Sequence, residues 1–135
     1  MKRARGLAVA SVMSVAAVFA AMTPAQAASN DGTCNTDEAC IYRLLDYSGG
    51  IYDTLSSKKS YSGLVFHGTS TTIDNKASSA RNKDPDSNLW FYQLDNWAGD
   101  TWGLPAGSST NFSGSDDNKW SSHCWTGATA GCPGG

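Results

Sequence analysis

Short apolar and aromatic runs, separated by polar residues and glycine, follow one another through most of the chain. In the first half they cover residues 40–45, 51–55 and 64–66, and a fourth strand is predicted to begin in the more polar residues 78–82. Branched and aromatic residues in runs this short favour β-strands over helices. We therefore predict a strand over each run, with residues 46–50 as a hairpin turn between the first two.

The second half repeats this order of segments. Residues 89–94 form the most aromatic run, residues 100–104 the strand that returns from it, and residues 123–125 the last strand. Side chains alternate between the two faces of a strand. This alternation places Trp90 and Tyr92 on one face, and Phe91 and Gln93 on the other. The chain is therefore predicted to be all-β.

Two polar segments are predicted to be exposed connections. Residues 82–88 contain no apolar side chain apart from Pro85, and this composition is typical of a joint between two halves. Residues 105–114 are small and polar, with Phe112 as the one large apolar side chain. Both segments are candidates for a loop that binds a partner, because exposed loops on a rigid scaffold commonly carry function.

Two motifs occur twice, which indicates an internal duplication. The first is an aromatic residue, four spacers, a second aromatic residue, one spacer and a glycine, at Tyr42, Tyr47 and Gly49 and again at Tyr92, Trp97 and Gly99. The second is an oxygen-rich hexapeptide, Asp74-Asn75-Lys76-Ala77-Ser78-Ser79, which returns as Asp117-Asn118-Lys119-Trp120-Ser121-Ser122. Carboxylate, amide and hydroxyl oxygens together suit a hard divalent cation such as Ca²⁺.

These motifs resemble those of the βγ-crystallin superfamily, whose Greek-key unit opens with the aromatic hairpin and whose calcium-binding members carry the oxygen-rich loop. Within it the chain looks most like the secreted bacterial peptidase inhibitor family I36, since Cys34, Cys40 and Tyr42 keep that family's spacing. The resemblance implies a sandwich of two Greek keys, at about residues 34–84 and 88–126. It also implies that Ser79 and Ser122 bond to the folded hairpin of their own motif.

The same resemblance implies calcium sites that each take oxygens from both loops, because one loop alone offers too few of the six to eight oxygens that Ca²⁺ takes. The candidate ligands are side-chain oxygens and two backbone carbonyls, with the two asparagines contributing by either route: Asp74, Asn75, Lys76, Ser78, Asp117, Asn118, Lys119 and Ser121. The alternative is that Asp-Asn only forms turns that serine caps.

The N-terminus has the composition of a secretory signal peptide. Basic residues precede an apolar, alanine-rich run, and Ala25-Gln26-Ala27 supplies the small residues of a cleavage site. We predict cleavage after residue 27, an extracellular protein and no membrane contact afterwards. The remaining chain has seven basic and twelve acidic residues, so its net charge of −5 gives it no electrostatic reason to bind nucleic acid.

The cysteines all follow the predicted cleavage site, where oxidising conditions favour disulfides. The family resemblance supports Cys34–Cys40, and we infer Cys124–Cys132. The rival pairing, Cys34–Cys132 with Cys40–Cys124, stays open because sequence alone cannot fix connectivity. A zinc site at His123, Cys124 and Cys132 is less favoured, since it lacks the usual ligand spacing.

No enzyme is expected, because the chain has no recognisable catalytic motif and neither His67 nor His123 has an obvious triad partner. The I36 resemblance implies a monomeric, secreted inhibitor of extracellular peptidases, metallopeptidases foremost. The alternative from another class is an extracellular calcium-binding structural module without a peptidase target. Carbohydrate binding, suggested by the five tryptophans, and a small secreted toxin are weaker alternatives.

Overall fold

The computed structural model describes residues 28–127 and 132, so the predicted signal peptide at residues 1–27 lies outside the described residues. The described part is all-β. Its strands are β1 Ala39–Leu44, β2 Ser48–Thr54, β3 Ser79–Asn82, β4 Leu89–Leu94, β5 Ala98–Leu104, β6 Ser109–Asn111 and β7 Ser122–Trp125, with short 3-10 turns at Leu45–Tyr47 and Gly114–Asp116. Within this part of the chain, no helix is long and apolar enough to cross a membrane.

The strands form two antiparallel sheets. One has the order β2-β1-β3-β6 and the other β5-β4-β7, and a bridge between Lys58 and His123 adds a residue of the first half beside β7. Strand β6 of the second half pairs with β3 of the first. Each half therefore gives one segment to the sheet of the other, as in the Greek-key sandwich that the family resemblance implied.

The two hairpins have the same geometry because each contains the same special backbone positions. Asp46 and Tyr47 have φ of 55° and 60°, and Asn96 and Trp97 both have φ of 59°. The following Gly49 also has a positive φ, and a Cβ there would overlap the Leu44 side chain. A glycine is therefore required where the hairpin folds back on its own strand.

One predicted strand and one predicted connection were wrong. Residues 64–66 are not a ladder strand: Phe66 is buried, but the segment forms only an isolated bridge between Val65 and Thr72. The polar segment around Lys58 lies beside β7 instead, where its backbone forms hydrogen bonds with His123. Residues 109–111, predicted to be part of a connection, form β6. In both places the prediction was based on how apolar the segment is. Whether a segment forms a strand depends instead on whether another backbone lies beside it to hydrogen-bond with it.

An aromatic core fills the space between the sheets. Phe91, Phe112 and Trp120 are fully buried and contact one another, with ring centroids 5.4 Å apart for Phe91–Phe112 and 5.6 Å apart for Phe112–Trp120. Burying a side chain of this size stabilises a fold by roughly 1.5–3 kcal/mol. As alternation predicted, Trp90 and Tyr92 lie on the opposite, outer face, in a second cluster with Trp97 and Cys124.

Both disulfides are local. Cys34 bonds to Cys40 beside β1, and Cys124 in β7 bonds to Cys132. This confirms the inferred pairing and excludes both the rival pairing and zinc ligation by these thiols. Cys34–Cys40 attaches the N-terminal part of the described chain to β1, and Cys124–Cys132 attaches its C-terminal end to β7.

Candidate functional site

The two oxygen-rich loops are bonded to each other through their backbones. The Asn75 N–H donates to the Trp120 carbonyl, and the Asn118 N–H donates to the Ala77 carbonyl, both at 3.0 Å. Both asparagines have a left-handed backbone, with φ of 52° and 54°. Asparagine tolerates this conformation better than most residues. The structure thus brings the duplicated loops together in matching turns.

Each loop contains a buried carboxylate oxygen without a partner. Asp74 Oδ1 and Asp117 Oδ1 are both shielded from solvent and accept no hydrogen bond from the protein. A buried charged oxygen is costly unless a cation or a donor compensates it. Among the described residues no three His, Cys, Asp or Glu side chains converge, so most of the ligands of a cation at either position would be neutral oxygens.

Both loops also contain neutral oxygens. Ser78 and Ser121 are buried, and the Ser121 hydroxyl donates to Asn75 Oδ1 of the other loop over 3.4 Å. In contrast, the Asn118 amide donates to its neighbour Asp117 Oδ2 at 3.1 Å. One asparagine therefore reaches across the loop pair, and the other stays in its own loop.

The two lysines of these loops differ in their surroundings. Lys119 Nζ lies 2.9 Å from Asp100 Oδ2 and 3.3 Å from Asp116 Oδ1. The hydrogen bond to Asp100, followed by that to Asp116, raises the pKa of Lys119. Lys76 is exposed and forms no ion pair with a described residue. The positive charge in the second loop is compensated, whereas the charge in the first is not.

The last serine of each loop connects it to the hairpin of the same half. Ser79 Oγ accepts from the Tyr47 N–H at 3.0 Å and donates to the Leu44 carbonyl at 2.6 Å. Ser122 Oγ does the same with the Trp97 N–H and the Leu94 carbonyl, at 3.3 Å and 2.6 Å. These bonds hold the oxygen-rich loop and the folded hairpin in a fixed relation.

The second aromatic residue of each hairpin carries a cation over its ring. Arg81 lies 4.1 Å from the centroid of Tyr47, and Lys59 Nζ lies 5.0 Å from the centroid of Trp97. Tyr47 also meets Tyr42 edge-on at 5.8 Å. These aromatic residues, with Gly49 and Gly99, shape the sheets and lie apart from the loop oxygens.

The two exposed connections form one braced surface, which we call the paired loops, residues 83–88 and 105–108. Asn82 Nδ2 donates to the carbonyls of Ser87 at 2.8 Å, Leu104 at 3.1 Å and Pro105 at 3.2 Å. A buried side chain therefore ties both loops to one point. The sequence offered no signal for this role beyond an asparagine at the start of a polar turn.

Asp84 braces the same surface from outside. Its Oδ1 accepts from the N–H groups of Asp86 and Ser87 at 2.8 Å and 2.9 Å. Its carbonyl accepts from the Gly107 N–H at 2.9 Å, so the two loops are also bonded to each other. The paired loops are exposed yet held rigid without a disulfide of their own.

The histidines have structural contacts. His123 is fully buried, with Nδ1 2.8 Å from Tyr61 Oη and Nε2 3.0 Å from the Ser56 carbonyl. Burial lowers its pKa to about 4. His67 Nδ1 lies 2.7 Å from the Asn30 carbonyl. Neither imidazole is hydrogen-bonded to a carboxylate in the described part of the chain.

Comparisons with known proteins agree with this geometry. Residues 27–104 match the model of peptidase inhibitor family I36. No curated protein sequence matches the chain significantly.

Solved βγ-crystallin structures are similar in fold. One, from work on the evolution of the eye lens βγ-crystallin domain fold, has a TM-score of 0.58 at 13% identity and covers 73% of this chain and 94% of its own. A βγ-crystallin domain of Clostridium beijerinckii has a TM-score of 0.54 at 19% identity, covering 67% and 97%. The N-terminal domain of protein S has a TM-score of 0.53 at 22% identity, covering 65% and 93%.

Proposed function

Since the chain belongs to peptidase inhibitor family I36, we propose that it is a secreted inhibitor of extracellular peptidases, with metallopeptidases as the first class of target. The observation that carries this proposal is the bracing of the paired loops by Asn82 and Asp84. A loop that is already ordered loses little conformational entropy when a peptidase cleft binds it, and this preorganisation favours affinity. It also resists the rearrangement that cleavage would need.

Inhibition is tested with thermolysin, as a metallopeptidase, and with a serine peptidase. We expect the secreted chain to inhibit thermolysin at micromolar ratios. Asn82→Ala should weaken inhibition by about tenfold or more, because both loops lose their common anchor. The control is Asp95→Ala, an exposed position on the β4–β5 hairpin. Full activity of both peptidases with excess protein would refute the proposal.

We further propose that the facing loops hold calcium. Asp74 and Asp117 would supply the charged ligands, with the hydroxyls of Ser78 and Ser121 and the carbonyls of Lys76 and Lys119 as neutral ones. The unpartnered buried oxygens of the two aspartates support this assignment. With one carboxylate in each loop we expect weak binding, on the order of 10⁻⁴ M. Bound calcium would mainly stabilise the fold, by binding the native state alone.

Calorimetric titration with CaCl₂ tests the metal. The double variant Asp74→Ala with Asp117→Ala should lose all measurable binding heat and the calcium-dependent rise in melting temperature. Asp86→Ala removes an exposed carboxylate from another surface and should keep both. Unchanged binding in the double variant would place the metal elsewhere.

A calcium-binding structural module without a peptidase target is the second candidate. The same unpartnered oxygens favour it, because they need no partner protein to explain them. The two assays separate the candidates: calcium binding without inhibition of either peptidase supports the module.

A further inference from the structure

The outer edges of β2 and β5 occupy equivalent positions in the two halves but differ in what covers them. The register pairs Ile51 with Tyr42 in the first half and Thr101 with Tyr92 in the second, and Asp53 and Gly103 correspond in the same way. Each hairpin also has its register shift at the same place. The backbone groups of the two edges can therefore be compared position by position.

The edge of β2 is occupied by other parts of the chain. The Ile51 carbonyl accepts from the His67 N–H at 2.6 Å, and the Asp53 carbonyl accepts from the Asn30 N–H at 2.7 Å. The Leu55 N–H donates to Ser29 Oγ at 3.1 Å. A turn at residues 29–32 and the His67 backbone thus lie along this edge and satisfy backbone groups that point away from β1.

The edge of β5 carries no such cover among the described residues. By the equivalent register, Thr101 and Gly103 point their N–H and C=O groups away from β4, and no described residue bonds to them there. Both residues are exposed. Unpaired backbone donors and acceptors in a row are a template for adding a strand.

A groove opens on the outer face at the same edge. It has a volume of about 160 Å³ and is lined by Asn88, Trp90, Gly103 and Pro105. The Trp90 ring lies close over Gly103, because a Cβ there would be 2.8 Å from Trp90 Cζ3. Since Gly103 has no side chain, the side chain of a residue paired with it would reach the indole directly.

We propose that the edge of β5 pairs with an extended segment of the inhibited peptidase, whose residue opposite Gly103 places a compact apolar side chain in the groove beside Trp90. This inference rests on the proposed function. Strand addition gains affinity from backbone hydrogen bonds and selectivity from a side-chain pocket, and both elements are present. The peptidase is the fitting occupant because Asn88 and Pro105 belong both to the groove and to the paired loops.

The first test is backbone amide hydrogen exchange of the secreted chain with and without saturating thermolysin. We expect exchange at the Thr101 and Gly103 amides to slow by about tenfold or more in the complex. Protection that depends on protein concentration without thermolysin would overturn the proposal in favour of a second copy at this edge.

The second test measures inhibition by Thr101→Pro, which removes an outward N–H from an edge strand, a position where proline is tolerated. We expect a weakening of about tenfold. The matched control is Ser109→Pro, because the Ser109 N–H faces away from β3 at the edge of the other sheet.

The outcomes separate this proposal from the proposed function. Inhibition with unchanged exchange and an unaffected Thr101→Pro variant would overturn strand pairing and leave inhibition standing. Absence of any complex with either peptidase would overturn both.

Discussion

Single side chains decide how the two oxygen-rich loops differ. Their sequences match at the acidic, amide and hydroxyl positions, and each carries a lysine. Lys119, however, is paired with Asp100 and Asp116, while Lys76 is exposed. Because a like charge near a cation opposes its binding, the second loop is the more favourable of the two for Ca²⁺.

Asp100→Asn should therefore weaken calcium binding although Asp100 is not a proposed ligand. The substitution leaves the Lys119 charge less compensated near Asp117, and we expect affinity to fall by about two- to fivefold, an effect that salt should reduce. Calorimetric titration checks this, with the exposed Asp95→Asn as control. Equal affinity in both variants would show that Lys119 does not influence the site.

His123 should make stability depend on pH. The unfolded chain binds a proton with the ordinary pKa of 6.5, whereas burial lowers the folded pKa to about 4. Between these values the unfolded state binds more protons, so the free energy of unfolding falls as the pH drops and is at its full value above pH 6.5. The loss from this group approaches about 3 kcal/mol near pH 4.

Guanidinium denaturation across this pH range measures the effect. The slope should flatten in His123→Gln and persist in His67→Gln, because His67 is exposed. Equal slopes in the wild type and in His123→Gln would show that carboxyl groups cause the dependence. Glu38 is not such a group, because burial, followed by the Coulomb effect of Asp53, raises its pKa, and a raised carboxyl pKa stabilises the folded state as the pH drops.

At the scale of elements, the same serine hydrogen bonds connect loop and hairpin in each half: those of Ser79 in the first and of Ser122 in the second. Ser79→Ala removes an acceptor for the Tyr47 N–H and a donor to the Leu44 carbonyl. We expect a loss of about 1–3 kcal/mol in the free energy of unfolding, and a similar loss for Ser122→Ala.

Chemical denaturation checks these values. Ser48→Ala is the matched control, since Ser48 Oγ bonds to the Leu45 carbonyl on the exposed side of the same hairpin. We expect it to cost less than about 0.5 kcal/mol. Equal losses at Ser48 and Ser79 would show that the hydrogen bonds between Ser79 and the hairpin do not contribute specially to stability.

Local patterns predicted these elements well, and non-local contacts explain what they missed. The hairpins follow from aromatic and glycine spacing, because the residues that fix them are neighbours in sequence. Strand β6 is short and polar, and it is a strand only because β3 lies beside it. The contacts of Asn82 and the Lys119–Asp100 pair join distant residues, which a single sequence does not reveal.

At the scale of the whole molecule, the halves depend on each other. Strand β6 completes the sheet of the first half, and the Lys58 segment extends the sheet of the second. Phe112 and Trp120 of the second half are buried in the shared core. Neither half can close its own sheet or cover its own apolar face.

We therefore expect one cooperative unfolding transition. Tryptophan fluorescence, which reports mainly on the second half, and far-UV circular dichroism should give coincident denaturation curves. Residues 28–87 produced alone should lack dispersed amide resonances. Two separated transitions, or a folded fragment, would show that the halves are independent domains.

The crossed backbone bonds between the oxygen-rich loops have a consequence for how ions would load. Each asparagine N–H is bonded to a carbonyl of the opposite loop, so ordering one turn restrains the other before it has met an ion. When the first calcium ion binds, both loops lose conformational entropy, so binding of the second ion costs less. We expect a calcium isotherm with a Hill coefficient above one.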